Sequence, residues 1–345
     1  RVVDVAPDAF WAFERLKLAY NQNERWDDLF SLYDQAIVRT EDKFTRIELL
    51  EDAAESAKDL AGKPDKAVSY LEQLLPLKPK DKKIRLSLER LYERLARHRP
   101  LIDLLSQELD SLDVESAQKL RARIAALWID GVGDSDEAFA VIASMLAIDP
   151  ARHEAVGLLE RILKVTNEGV IDPLANPPAE SSEATARQRS AAALETRYRQ
   201  EQSHHDLARV LGVRLESAAD AEGRGKLLRE IVHLHAEVLG DPASALENLA
   251  ALVALEPGEP AHRAELDRLA AKVGRDDRLA EVLVTVANVV PGPLKIELLT
   301  HASSIFVDRL GDRGRAIEIG RSILALHEEH PDLVIAPART LEKLL

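Results

Sequence analysis

His327, Glu328, Glu329 and His330 form the run that comes nearest to a hydrolytic metal site. The zinc-peptidase spacing places two His four apart on one helical face, with a Glu between them as base. Here the imidazoles are three apart, abut Pro331 and have no third ligand in view, so the run reads as a polar helix end. His233 and His235 are two apart, and on a helix they point in different directions. His204 and His205 fall where a turn between helices is expected. The glycine pairs Gly131/Gly133 and Gly223/Gly225 lack the preceding strand and the Gly-Lys-Ser/Thr ending of a phosphate loop. They read as punctuation at helix ends. The chain has no cysteine, which removes disulfides, thiolate metal sites and thiol nucleophiles. No catalytic residue, metal or cofactor is therefore assigned, and the expectation is a protein that is not an enzyme.

Charge is more informative. The 345 residues carry 46 Lys/Arg against 60 Asp/Glu, a formal net charge of −14. Nucleic-acid affinity is supplied mainly by Lys and Arg on phosphate, so a nucleic-acid partner is not expected. Residues 78–99 run against that average, with nine Lys/Arg and three acids, a local net of +6. At about 100° per residue, Lys83, Arg90, Arg94 and Arg97 share one helical face. The apolar Ile84, Leu88, Leu91 and Leu95 face elsewhere. A helix upstream bears an acidic stripe of Glu48, Asp52, Glu55 and Asp59. Two readings stand. One is a charge ladder between neighbouring helices, whose exposed rungs each contribute about 0–1 kcal/mol. The other is a basic wall for an acidic peptide or terminal carboxylate, which the guanidinium fork suits.

These residues are carried on helices. Ile47, Leu50, Ala54, Ala57 and Leu60 recur at helical spacing over 46–60. Gly62 stands at the C-terminal cap and Pro64 in the first turn of the next helix. Ala67, Val68, Leu71, Leu74 and Leu75 then form a second stripe that stops before Pro79. The same grammar recurs over 119–132 with 136–148, 226–239 with 242–255, and 295–310 with 313–326. The pairs between them are 84–96 with 101–109 and 263–273 with 278–289. No segment alternates with period two, so no sheet is expected.

The spacing is that of a repeat. Gly62, Gly133, Gly240 and Gly311 are separated by 71, 107 and 71 residues, close to two, three and two times 35.6, and each is followed five residues later by Ala67, Ala138, Ala245 or Ala316. A shift of 178 also aligns the two halves without a gap. Over the 131 pairs from Tyr20/Tyr198 to Pro150/Glu328, 30 are identical. Arg90, Arg94 and Arg97 fall on Arg268, Lys272 and Arg275, while Lys83 falls on Ala261. The chain thus reads as two copies of a nine-helix unit, about 18 helices in all, with a first array over 1–164 and a second over 183–345. A Pro- and Asn-rich stretch, 165–182, joins them as a loop and the expected hinge.

Gly62, Ala67, Leu71 and Pro79 resemble the second-helix signature of the tetratricopeptide repeat (TPR) superfamily. The first-helix signature is missing: its positions fall on Glu51, Ala54, Glu55 and Lys58, and on Arg229, Val232, His233 and Ala236. The resemblance is to a divergent TPR-like array covering nearly the whole chain. It implies an all-α, right-handed α-solenoid of helix-turn-helix repeats whose first helices line a concave groove. The function it implies is a non-catalytic scaffold or adaptor presenting that groove to a peptide or helix of a protein partner. The candidate peptide-binding residues are Lys83, Arg90, Arg94, Arg97, Arg268, Lys272 and Arg275. An alternative is the regulatory or docking arm of a larger enzyme or machine, since the chain opens on Arg1 and its last residues echo 159–163. A third, RNA binding by a related helical repeat, is opposed by the −14 charge. No apolar run is long enough to span a bilayer, and with no cysteine the expected compartment is the cytoplasm, with the periplasm open.

Overall fold

The computed structural model describes residues 10–165, 185–326 and 331–344. Among the described residues the regular structure is helical, with eighteen α-helices and no strand. The first nine are α1 Phe10–Gln22, α2 Trp26–Arg39, α3 Lys43–Glu55, α4 Pro64–Leu74, α5 Lys82–Arg94, α6 His98–Ser106, α7 Val114–Ala126, α8 Ser135–Ile148 and α9 His153–Val165. The second nine are α10 Ala186–Glu201, α11 His204–Ser217, α12 Ala221–His233, α13 Pro242–Leu255, α14 Pro260–Val273, α15 Asp276–Ala287, α16 Gly292–Asp308, α17 Arg313–Leu324 and α18 Pro331–Leu344. From α2 to α9, every helix start recurs 178 residues later. Most helices pack on their neighbours in sequence, which is the architecture of an α-solenoid of helix-turn-helix repeats. The chain divides into two compact units, Arg1–Leu158 and Leu159–Leu345. The expected joining stretch, 165–182, lies outside the described residues from 166 onward, as does the 327–330 histidine run.

Local chemistry sets most boundaries. Asp42, Asp81, Asp113, Asp134, Asp220, Asp241 and Asp312 each accept a first-turn backbone N–H at a helix N-cap. Each such cap stabilises by about 1 kcal/mol. Ser203 precedes α11, so His204 and His205 open a helix and do not sit in the turn the sequence suggests. Ala67, Ala138, Ala245 and Ala316 are fully buried. With only a methyl group, each lets its helix approach the preceding one.

The turns inside helix pairs come in two alternating kinds. In one, the last helical turn widens to π geometry, as at Ser56–Leu60, Leu127–Val132 and Leu234–Val238. A left-handed glycine follows, at Gly62, Gly133, Gly240 or Gly311 (φ 61°, 77°, 64° and 70°). The next backbone N–H then reaches six residues back: Lys63 to Ala57, Asp134 to Trp128, Asp241 to His235 and Asp312 to Phe306, at 2.8–2.9 Å. In the other kind the reach is five residues: Arg25 to Tyr20, Arg97 to Tyr92, Ser203 to Tyr198 and Arg275 to Ala270. The left-handed residues there are Glu24, Ala96, Gln202 and Gly274. The two kinds alternate through α1–α8 and again through α10–α17. The Gly spacing of 71 therefore counts four helices, and the intervening pairs lack the Gly-to-Ala pattern because their turn is built differently.

The core is thin and made mainly of Leu, Ala and Ile. Its aromatic exceptions are wired. The Tyr33 hydroxyl donates to Asp52 at 2.8 Å and lies 3.4 Å from the buried Ser56 hydroxyl. In the second copy the equivalents of Tyr33 and Ser56 are Leu211 and Leu234, both buried. Polar partners are thus exchanged together for apolar ones, the substitution that leaves no buried group unsatisfied.

Ala96 carries a strained backbone (φ 52°) where its equivalent, Gly274, carries none. Nothing lies within 4 Å of a Cβ built on Gly274, so the difference between the two residues there is conformational. Gly274→Ala should destabilise the chain by about 1 kcal/mol, and Ala96→Gly should stabilise it by somewhat less, because glycine also loosens the unfolded chain. Urea midpoints of the two variants, read by circular dichroism, check the opposite signs.

Candidate functional site

The helix α5 carries the basic face. It starts where the Asp81 carboxylate accepts the Lys83 N–H at 2.8 Å, just after Pro79. Arg85 reaches back to donate to the Pro79 carbonyl at 3.3 Å, and its equivalent Arg263 does the same to the Pro257 carbonyl at 2.5 Å. These two arginines hold the entry to their helices. The inner face of α5 buries Ile84, Leu88, Leu91 and Tyr92. The Tyr92 hydroxyl donates to Glu72 at 2.9 Å, and burial pushes its pKa up.

Lys83, Arg90 and Arg94 are exposed on α5, within about 40° of one another at 100° per residue. None of the three has an ion-pair partner among the described residues. Leu86, about 40° further round the helix from Arg90, is 50% exposed. Arg97 is not part of this face. α5 ends at Arg94, Ala96 takes the left-handed turn, and Arg97 caps α6. Its guanidinium pairs with Asp65 of α4 at 2.6 Å.

A charge ladder does exist, but other residues are its rungs. Arg123 of α7 reaches Glu89 and Glu93 of α5, each at 2.6 Å. Lys17 of α1 pairs with Asp52 of α3, and Arg152 pairs with Glu115 of α7 at 2.7 Å. Odd-numbered helices are therefore neighbours within the first unit. Asp34 of α2 accepts from Tyr70 of α4 at 2.8 Å, so even-numbered helices are neighbours too. The acidic stripe of α3 does not meet the basic face of α5. Asp52 is taken by Lys17 and Tyr33, and Asp59 lies 3.4 Å from Lys58.

The second copy places its basic residues differently. Arg268 of α14 is bound by Glu265 of the same helix at 2.6 Å, and Arg275, the cap of α15, is bound by Asp277 at 3.0 Å. Each carboxylate holds its guanidinium more firmly protonated. Lys272 has no ion-pair partner among the described residues. At the positions of Glu89 and Arg123 the second copy has Asp267 and His301, 3.8 Å apart, and Arg309 pairs with Asp267 at 2.6 Å. One rung is kept with its polarity reversed. Glu51 pairs with Lys78 in the first copy, and at the same two positions Arg229 pairs with Glu256 in the second, at 2.8 Å.

One glycine of each pair serves packing. A Cβ on Gly131 would lie 2.5 Å from the His98 ring, and one on Gly225 would lie 2.6 Å from Glu256. The rungs Arg123 and Arg152, and the exposed Leu86, were not visible as such in the sequence. Arg85 left a signal, its identity with Arg263 under the 178-residue shift.

No protein-family profile matches the chain, and no curated protein matches it. Among solved structures, the P58(IPK) TPR domain is 11% identical, with 89% of this chain and 81% of that one covered, at a TM-score of 0.28. The TPR2AB domain of yeast Sti1 in its pHSP90 complex is 13% identical, with 85% and 99% covered, at 0.29. Yeast Tom70 is 13% identical, with 88% and 77% covered, at 0.25. At these values the assignment of the fold rests on the chain's own helices.

The reversed rung supplies a direct test of the ladder. Glu51→Arg, which sets two cations together, should lower stability by about 0.5–1 kcal/mol, and adding Lys78→Glu should recover most of that loss. A double-mutant cycle in thermal melts, repeated at high salt to screen the effect, checks the coupling.

Proposed function

We propose that this protein is an interaction scaffold without a catalytic site of its own, and that the odd-helix side of its first unit forms a groove wall that receives an acidic segment of a protein partner. One observation carries the reading. Lys83, Arg90 and Arg94 stand exposed on α5 without a counter-ion among the described residues, in a chain of net charge −14. The acids nearest to them on α5, Glu89 and Glu93, are both held by Arg123. The face is left positive because these two carboxylates are already bound. A row of Lys and Arg with free donors suits carboxylates that arrive from outside.

No helix among the described residues is long and apolar enough to cross a membrane. The acidic surface elsewhere would repel a polyanion such as RNA, which supports a protein partner over a nucleic acid.

The test is binding of a fluorescein-labelled peptide of six glutamates around a central leucine, read by anisotropy at near-physiological salt. Arg90→Glu with Arg94→Glu should weaken binding by about tenfold or more while the melting temperature stays close to that of the parent, because neither residue is a rung. Unchanged binding, with melting lowered, would assign both arginines to the framework and overturn the reading.

A further inference from the structure

The two copies offer the same basic positions in two electrostatic states. In the first, residues 78–99 hold nine Lys/Arg and three acids, a net of +6. In the second, the equivalent residues 256–277 hold four Lys/Arg and six acids, a net of −2. Part of that difference, together with the loss of an apolar side chain, falls on the exposed face of one helix. Lys83 is replaced by Ala261, Leu86 by Ala264 and Ser87 by Glu265. The last change places a carboxylate one turn before Arg268, and the structure shows the two bound at 2.6 Å and 2.8 Å through two guanidinium nitrogens. Arg90, the equivalent of Arg268, has Ser87 in that place and makes no such bond.

We infer that the duplicated chain holds one open receptor face and one that is closed by its own carboxylate, so that an acidic segment is bound once per chain, on α5, and not on α14. The inference rests on the interaction-scaffold reading and deepens it by naming which copy binds and what chemistry the partner carries. The exposed Leu86 beside Arg90 adds a requirement: the bound segment presents a large apolar side chain next to its carboxylates. An acidic, aliphatic-bearing peptide fits this face. On α14 a competing carboxylate is already present at very high effective concentration on the same helix, and the apolar contact has shrunk to Ala264. An incoming carboxylate there would have to displace Glu265 from a bidentate pair for no net gain.

The duplication also supplies the experiment. Titration calorimetry of the intact chain with the glutamate-leucine peptide should give a stoichiometry of one. Leu86→Ala should weaken binding several-fold, and Arg268→Glu should leave it unchanged. The triple variant Ala261→Lys, Ala264→Leu and Glu265→Ser, which gives α14 the first copy's side chains, should raise the stoichiometry to two. All three positions are on the outer side of α14, and circular dichroism of the variant should match the parent. Two peptides bound by the parent, or loss on Arg268→Glu, would overturn the asymmetry and leave the scaffold reading standing. A triple variant with parental helicity that still binds one peptide would also overturn it. No peptide bound by the parent, or tighter binding of a single-stranded oligonucleotide of equal charge, would overturn both.

Discussion

The first helix of each pair must hand the backbone to an antiparallel partner within two to four residues, and one left-handed residue makes that possible. Every packed layer depends on it. The reversal places the apolar stripes of two short helices face to face, and helices of 9–17 residues gain most of their stability from such packing. Once the hand of the turn is set, a buried Ala five residues beyond the glycine decides how closely the pair can approach. The pair in turn fixes which side chains line the odd-helix side. The basic face of α5 is a distant product of the left-handed residues that follow α3 and α5, Gly62 and Ala96.

The same constraint explains what the sequence reveals and what it hides. Glycine at a left-handed position is legible, and Gly62, Gly133, Gly240 and Gly311 led directly to the repeat and to the 178-residue duplication. Glu24, Ala96 and Gln202 hold similar conformations without a glycine, so three of the eight turns leave little mark. That is why the intervening helix pairs look like degenerate repeats in sequence and are regular in structure. The chemistry was less legible than the fold. The stripe Lys83, Arg90 and Arg94 follows from helical spacing alone. Arg97 shares that spacing, and no glycine announces that α5 ends at Arg94. Which acids neutralise which bases depends on packing between helices about 30 residues apart, as with Glu89 and Arg123, and sequence spacing does not encode it.

Two copies of one unit in a single chain act as a record of tolerated change. Buried polar pairs change together, as Tyr33 with Ser56 against Leu211 with Leu234. Framework arginines such as Arg85 and Arg263 stay, because each ties down the carbonyl of the proline three residues before its helix. Arg90 and Arg268 also stay, yet in the first copy nothing in the framework uses the side chain. The surviving identities therefore divide into those that hold the array and those that remain only at its surface. The distinction comes from contacts, which identity alone does not show.

The reversed rung bears on how the chain assembles. Two units that share nearly a quarter of their aligned residues could exchange equivalent helices while folding, since their apolar stripes match in spacing and size. Such an exchange would set Glu51 against Glu256 and Arg229 against Lys78. Both contacts would join like charges where the proper partners form attractive pairs. Opposite polarity in otherwise equivalent joints works as a key, accepting each helix in its own copy and disfavouring it in the other.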